Sequence, residues 1–146
     1  MNTKLTTVVI ADDRARCATL ASSLDSCGYK VLVASDQLQS LADHWQDCQP
    51  DFVAVAVAQP DEVCLRLLQQ CSDRDPRPLV IFAEDSSAET INRATASGAS
   101  AYVVDRLQAT GLNAVINAAL ARFKVLQSLR VELKQSRQQL LDRKLV

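Results

Sequence analysis

The chain has 146 residues, of which 48% are apolar and 23% charged, with a formal net charge of −1. That length suits one domain with an appendage. The composition excludes a disordered chain, and 3 glycines and 4 prolines exclude collagen-like and low-complexity sequence.

Residues 1–107 alternate between short β-branched runs and helical patterns. Strands are predicted at Thr6–Ala11, Lys30–Ala34, Phe52–Val57, Leu79–Ala83 and Ala101–Val104, with helices near 14–26, 37–47, 61–72 and 87–97. In the first helix Cys17, Leu20, Ala21 and Leu24 mark a buried face. Val63, Leu67, Leu68 and Cys71 do so in the third, and Ala88, Ile91, Ala94 and Thr95 in the fourth. Gly28 and Gly98 are placed to end helices as C′ glycines. Continuous apolar runs such as Phe52-Val53-Ala54-Val55-Ala56-Val57 read as strands covered on both faces, the mark of a parallel sheet between helical layers. The expected fold is therefore α/β, a (βα)5 doubly wound parallel sheet of order 2-1-3-4-5. Its ligand crevice would lie at the carboxyl ends of the first and third strands.

From about Ala109 to Val146 there is no proline, and the one glycine, Gly111, sits near the start. This reads as an extended C-terminal helix, far longer than a small domain needs. Leu112, Val115, Ile116, Ala119, Leu120 and Phe123 can cover the sheet. Beyond them Leu126, Leu133 and Leu140 recur every seven residues, with Leu129 three after the first. The second heptad position, Arg122, Leu129, Ser136 and Arg143, is poor, so a weak parallel coiled coil and a homodimer are expected. A protruding helix that packs on another domain is the alternative. The expected organisation is a domain over 1–121 and a basic coiled-coil helix over 122–146. Residues 1–121 carry 9 basic and 15 acidic side chains, a net of −6, whereas residues 122–146 carry 7 and 2, a net of +5.

Five cysteines are present, Cys17, Cys27, Cys48, Cys64 and Cys71, with no CxxC spacing. They read as small buried thiols in a reducing compartment. With His44 as the single histidine, no His/Cys metal site can be built. No apolar run is long enough to span a membrane, and the start of the chain lacks the features of a signal peptide, so a cytoplasmic protein without a membrane partner is expected. Asp12 and Asp13 end the first strand. Such a pair can hold Mg²⁺, the one ligand considered for a chain otherwise expected to lack cofactors, or Asp13 can cap the following helix.

These motifs resemble a response-regulator receiver domain, the flavodoxin/CheY-like unit of two-component phosphorelays. Asp12 and Asp13 fall where that family keeps its acidic Mg²⁺-binding pair. Pro50-Asp51-Phe52-Val53-Ala54-Val55, Pro78-Leu79-Val80-Ile81-Phe82 and Ala101-Tyr102-Val103-Val104 match its third, fourth and fifth strands. The resemblance implies a phosphoaccepting aspartate at position 56, a switch hydroxyl at 83 and a phosphate-contacting lysine at 105. The residues are Ala56, Ala83 and Asp105. Alanine cannot attack phosphorus, and Asp105 would repel the added group. Asp51 is at the wrong end of its strand, and Glu84 is close to the acceptor position but not in it. The reading is a pseudo-receiver and not an enzyme. Tyr102 matches an aromatic that moves on activation in receivers, or is an edge ring at an interface.

Glu84-Asp85, the stretch Ala99 to Asp105 and the ending Leu141-Asp142-Arg143-Lys144-Leu145-Val146 resemble the AmiR/NasT family of antitermination regulators. There a coiled-coil helix leads from the receiver into an RNA-binding ANTAR module, which would here be missing or truncated. The resemblance implies transcription antitermination by binding RNA leader hairpins. The ending Val103-Val104-Asp105 leans toward the nitrate-responsive branch of that family, whose partner senses nitrate or nitrite and whose role is nitrate assimilation; the amidase-regulating branch and an orphan member are the alternatives. Arg130, Lys134, Arg137 and Lys144 are the RNA-proximal candidates, and a solvated basic helix face is the simpler explanation of them. A DNA-binding regulator with a degenerate receiver, and a stand-alone protein-binding adaptor, are the other readings.

Overall fold

The computed structural model describes residues 4–104 and 111–144. Five parallel strands, β1 (Thr6–Ala11), β2 (Lys30–Ser35), β3 (Phe52–Ala56), β4 (Leu79–Ala83) and β5 (Ala101–Val104), form one sheet of order β2-β1-β3-β4-β5. The helices are α1 (Arg14–Ser26), α2 (Leu41–Cys48), α3 (Glu62–Arg74), α4 (Ala88–Ala96) and α5 (Leu112–Lys144). The helix expected near 37–47 is divided, a 3-10 turn at Leu38–Ser40 preceding α2.

The sheet is apolar on both faces because each face has its own helical layer. Val8, Ile10, Val53, Val55 and Ile81 pack beneath α2, α3 and α4, against Leu41, Trp45, Leu65 and Leu68. Their neighbours Val9, Phe52, Ala54, Val80 and Phe82 point the other way, toward Leu20 and Leu24 of α1 and Leu112 and Ile116 of α5. Alternating directions on strands covered from both sides, as β3 and β4 are, give the continuous apolar runs.

Two expected helix faces differ from the observed ones. On α3 the buried residues are Cys64, Leu65, Leu68 and Cys71, with Leu67 partly buried, while Val63 is 77% exposed. Asp61 caps this helix by accepting from the Cys64 amide at 2.7 Å. That start turns Val63, in the first helical turn, toward solvent. On α4 only Ala94 is buried; Ile91 is half-buried, and Ala88 and Thr95 are exposed. The Thr95 hydroxyl satisfies itself by donating to the Ile91 carbonyl at 2.9 Å. Gly98 has φ +111° after α4, and a Cβ there would fall 2.5 Å from Ser72 Oγ, so both the turn and the close approach of α3 require glycine.

Helix α5 is 33 residues long, about 50 Å at 1.5 Å per residue. Its first turns bury Leu112, Ile116 and Ala119, with Val115, Leu120 and Phe123 half-buried. Arg122 turns back to the domain, Nη1 donating to the Ser100 carbonyl at 2.8 Å. Beyond this point Leu126, Leu129, Leu133 and Leu140 are all exposed.

Candidate functional site: the acidic crevice

The parallel register brings the carboxyl ends of four strands level. Ala11 pairs with Ala56, Ala56 with Phe82, and Phe82 and Ala83 with Val103 and Val104. This is the crevice where doubly wound sheets bind ligands. Its floor is made of methyl groups: Ala56 is 0% exposed and Ala83 is buried. Asp105, the third position singled out, lies outside the described residues.

Asp12 and Asp13 stand at the rim, and each has divided its two oxygens. Asp12 Oδ2 accepts from the Ala58 amide at 3.0 Å, while Oδ1 faces Arg16 Nη1 at 3.7 Å. Asp13 Oδ1 accepts from the Arg16 amide at 2.7 Å, capping α1, while Oδ2 meets Arg16 Nη1 at 2.9 Å. The other arm of the guanidinium, Nη2, lies 2.9 Å from Glu84 Oε1. One arginine side chain, 15% exposed, thus faces three carboxylates. Sequence reasoning missed Arg16, although its spacing of three and four residues from the aspartates on a helix start was a usable signal.

This arrangement tests the Mg²⁺ reading directly. A hard cation needs free carboxylate oxygens at close range. At Asp12 and Asp13 one oxygen of each serves a backbone amide, and the other faces a guanidinium. The residues do not fit the metal with Arg16 in place. Among the described residues there is no group of three or more metal-ligating side chains arranged for an ion.

The crevice is stitched from the other side as well. The Ala58 carbonyl accepts from the Glu84 amide at 2.9 Å and the Asp85 amide at 3.2 Å, joining the β3–α3 and β4–α4 connections. Asp85 Oδ1 accepts from the Ser87 amide at 2.8 Å and Oδ2 from the Thr90 hydroxyl at 2.7 Å. These bonds hold its carboxyl below the usual range, the Ser87 amide contributing most. The Tyr102 hydroxyl donates to the Asp85 carbonyl at 2.6 Å. Burial, then the Asp85 charge, pushes this phenol up. Tyr102 is therefore half-buried and tethered on the edge strand β5.

The remaining predicted residues lie elsewhere. Asp51 is at the opposite end of the sheet, its Oδ2 accepting from the Thr6 amide at 2.7 Å. Cys17, Cys64 and Cys71 are buried, Cys27 and Cys48 partly so, and no disulfide is formed. Burial foremost, then the Asp61 and Asp12 charges, pushes the Cys64 thiol up to about 11, so it is neutral and inert at neutral pH. Arg130, Lys134 and Arg137 are exposed on α5, Arg130 donating to Gln127 Oε1 at 3.3 Å, and Lys144 is the last residue of that helix.

The fold is that of a CheY-like response-regulator receiver domain with a long C-terminal helix, and its crevice lacks a nucleophile at the end of β3. No protein-family model matches the chain. The chain is similar to the transcriptional regulatory protein PdtaR of Mycobacterium tuberculosis, 27% identical over 140 residues, which are 95% of this chain and 68% of that protein. Among solved structures, a CheY-like response-regulator receiver domain protein from Methanospirillum hungatei aligns over 84% of this chain and 98% of its own. Its TM-score is 0.71 and its identity 17%. A chain in which the trimeric coiled coil of yeast Spc42 is fused to another solved structure aligns over 98% of this chain and 97% of its own. Here the TM-score is 0.72 and the identity 14%. Among the described residues no helix is long and apolar enough to cross a membrane.

Proposed function

We propose that this chain is the receiver-like part of a transcriptional regulator, working by dimerisation and docking and not by aspartyl phosphorylation. The observation that carries this reading is the crevice itself. A buried methyl group stands at the end of β3 where a nucleophile would be needed, and an arginine occupies the acidic rim. The degenerate positions are Ala56, Ala83 and Asp105. With no phosphoryl chemistry at the strand ends, signal enters through a bound partner.

The long helix supports the dimer. Leu126, Leu129, Leu133 and Leu140 lie on one face of α5 and are exposed in the single chain. An exposed leucine seam of heptad spacing gains stability only when another apolar surface covers it. The exposed seam begins at Leu126 because Ala119, one heptad earlier, is buried against the sheet. The organisation proposed is a pseudo-receiver over 1–121 and a dimerising basic helix over 122–146, in the cytoplasm.

PdtaR is named a transcriptional regulatory protein, and about a third of it lies outside the match, room for a nucleic-acid-binding effector. That likeness favours the broader reading, a transcriptional regulator with a degenerate receiver, of which a DNA-binding protein is one branch. The ending Asp142-Arg143-Lys144-Leu145 favours a second reading, RNA antitermination through an ANTAR module. That reading brings leader hairpins near Arg130, Lys134, Arg137 and Lys144 and a nitrate- or nitrite-sensing partner.

The test is binding of the product of the complete coding region, beside residues 1–146, to duplex promoter DNA and to double-hairpin leader RNAs. Saturable binding to either nucleic acid supports the regulator and chooses the branch. Binding to neither, by a product that forms only protein complexes, would replace it with the adaptor.

A further inference from the structure

We propose that the Arg16 guanidinium is the resident cation of the crevice, and that it keeps divalent metal out of the acidic rim. The carboxylates of Asp12, Asp13 and Glu84 come from the β1–α1 connection, the N-cap of α1 and the β4–α4 connection. Gathered without a counter-charge, they would repel one another. Arg16 supplies that charge from within the chain, at 3.7, 2.9 and 2.9 Å. Its side chain is largely buried, and its planar fork holds Asp13 with one arm and Glu84 with the other.

The consequence is conformational as well as electrostatic. A metal ion would have to displace the guanidinium and release Glu84, loosening one tie between α1 and the connection that carries Asp85. A covalently attached cation always occupies the site, so this crevice keeps one arrangement at every magnesium concentration. The inference concerns metal binding alone and stands apart from which nucleic acid the protein reads. A failure to bind DNA or RNA would leave it untouched, and a failure of the metal test would leave the dimer and the missing nucleophile untouched.

The experiment is a Mn²⁺ titration of the full chain followed by electron paramagnetic resonance, with thermal unfolding in chelator and in Mg²⁺ as a second readout. The variants are Arg16→Ala, Arg16→Met, which keeps an apolar stem, and Arg16→Ala combined with Asp12→Asn. The unsubstituted chain should show no saturable Mn²⁺ binding and a melting temperature indifferent to Mg²⁺. Arg16→Ala and Arg16→Met should bind Mn²⁺ saturably, at least about tenfold more tightly than the weakest affinity the titration resolves, since a positive charge a few ångströms from the carboxylates is gone. They should be stabilised by Mg²⁺, and Asp12→Asn should abolish both effects. Variants that fold only when metal is added would give the same support. Saturable binding by the unsubstituted chain that Asp12→Asn removes would overturn the proposal. So would folded Arg16 variants that gain no metal affinity, or Arg16 variants that stay unfolded with metal present.

Discussion

Arg16 and Glu84, 68 residues apart in sequence, meet with Nη2 2.9 Å from Oε1 and close the acidic crevice of a receiver fold. The two ends of this bond differ in what they leave behind. Glu84 is mostly exposed, whereas Arg16 is largely buried and also faces Asp12 and Asp13. Glu84→Gln should therefore cost less than about 1 kcal/mol, as exposed ion pairs do. Arg16→Ala should cost more, about 1–2 kcal/mol, by leaving neighbouring carboxylates without a counter-charge. Urea unfolding of the two variants in chelator checks the order.

Tyr102 and Asp85 offer a second handle on the same connection. Tyr102→Phe removes the hydroxyl that donates to the Asp85 carbonyl at 2.6 Å. A loss of about 1 kcal/mol is expected. Amide exchange should quicken at residues 85–87 while β3 stays protected; equal exchange across 85–87 in both proteins would remove the tether from the account.

Asp85 also sets an acid limit. Its folded carboxyl is held below its ordinary value of 3.8, chiefly by the Ser87 amide. A depressed folded pKa means that the folded state releases its proton more readily than the unfolded chain. The stabilisation is complete above the unfolded pKa and is lost as pH falls through the folded one. The stability gap between the unsubstituted chain and Asp85→Ala should be constant near neutrality and shrink below about pH 4. Chemical unfolding at a series of pH values reads it.

The leucine seam separates folding from assembly. Leu133→Glu and Leu140→Glu alter side chains exposed in the single chain. Sedimentation should show the proposed dimer replaced by monomer while circular dichroism keeps the sheet domain's unfolding transition. Gly98→Ala should behave in the opposite way, costing about 1–3 kcal/mol through left-handed strain and the Ser72 contact without changing the association of folded chains.

The elements and strand order were legible because each strand is a short apolar run and Gly28 and Gly98 mark where α1 and α4 end. β1, β4 and β5 have the bounds read from the residues, and the C′ glycines fall where expected. Periodicity located the α3 face only to within one residue, since Asp61 decides where the helix begins and thus which way Val63 turns. The methyl floor at Ala56 and Ala83 was visible in the sequence. The clamp was half visible: Asp12, Asp13 and Arg16 are local neighbours on one helix start, but Glu84 comes from another connection and enters only through folding. Tyr102 was singled out as a ring, yet its partner is a backbone carbonyl, which no residue pattern announces.

The central claim is a receiver fold that does no phosphoryl chemistry. Its most direct test is the intact mass of the full chain after incubation with acetyl phosphate and Mg²⁺, with sedimentation of the same samples. The account predicts an unchanged mass and an unchanged oligomeric state. A hydroxylamine-sensitive phosphoryl adduct on an aspartate or glutamate, with a shift in assembly, would contradict it.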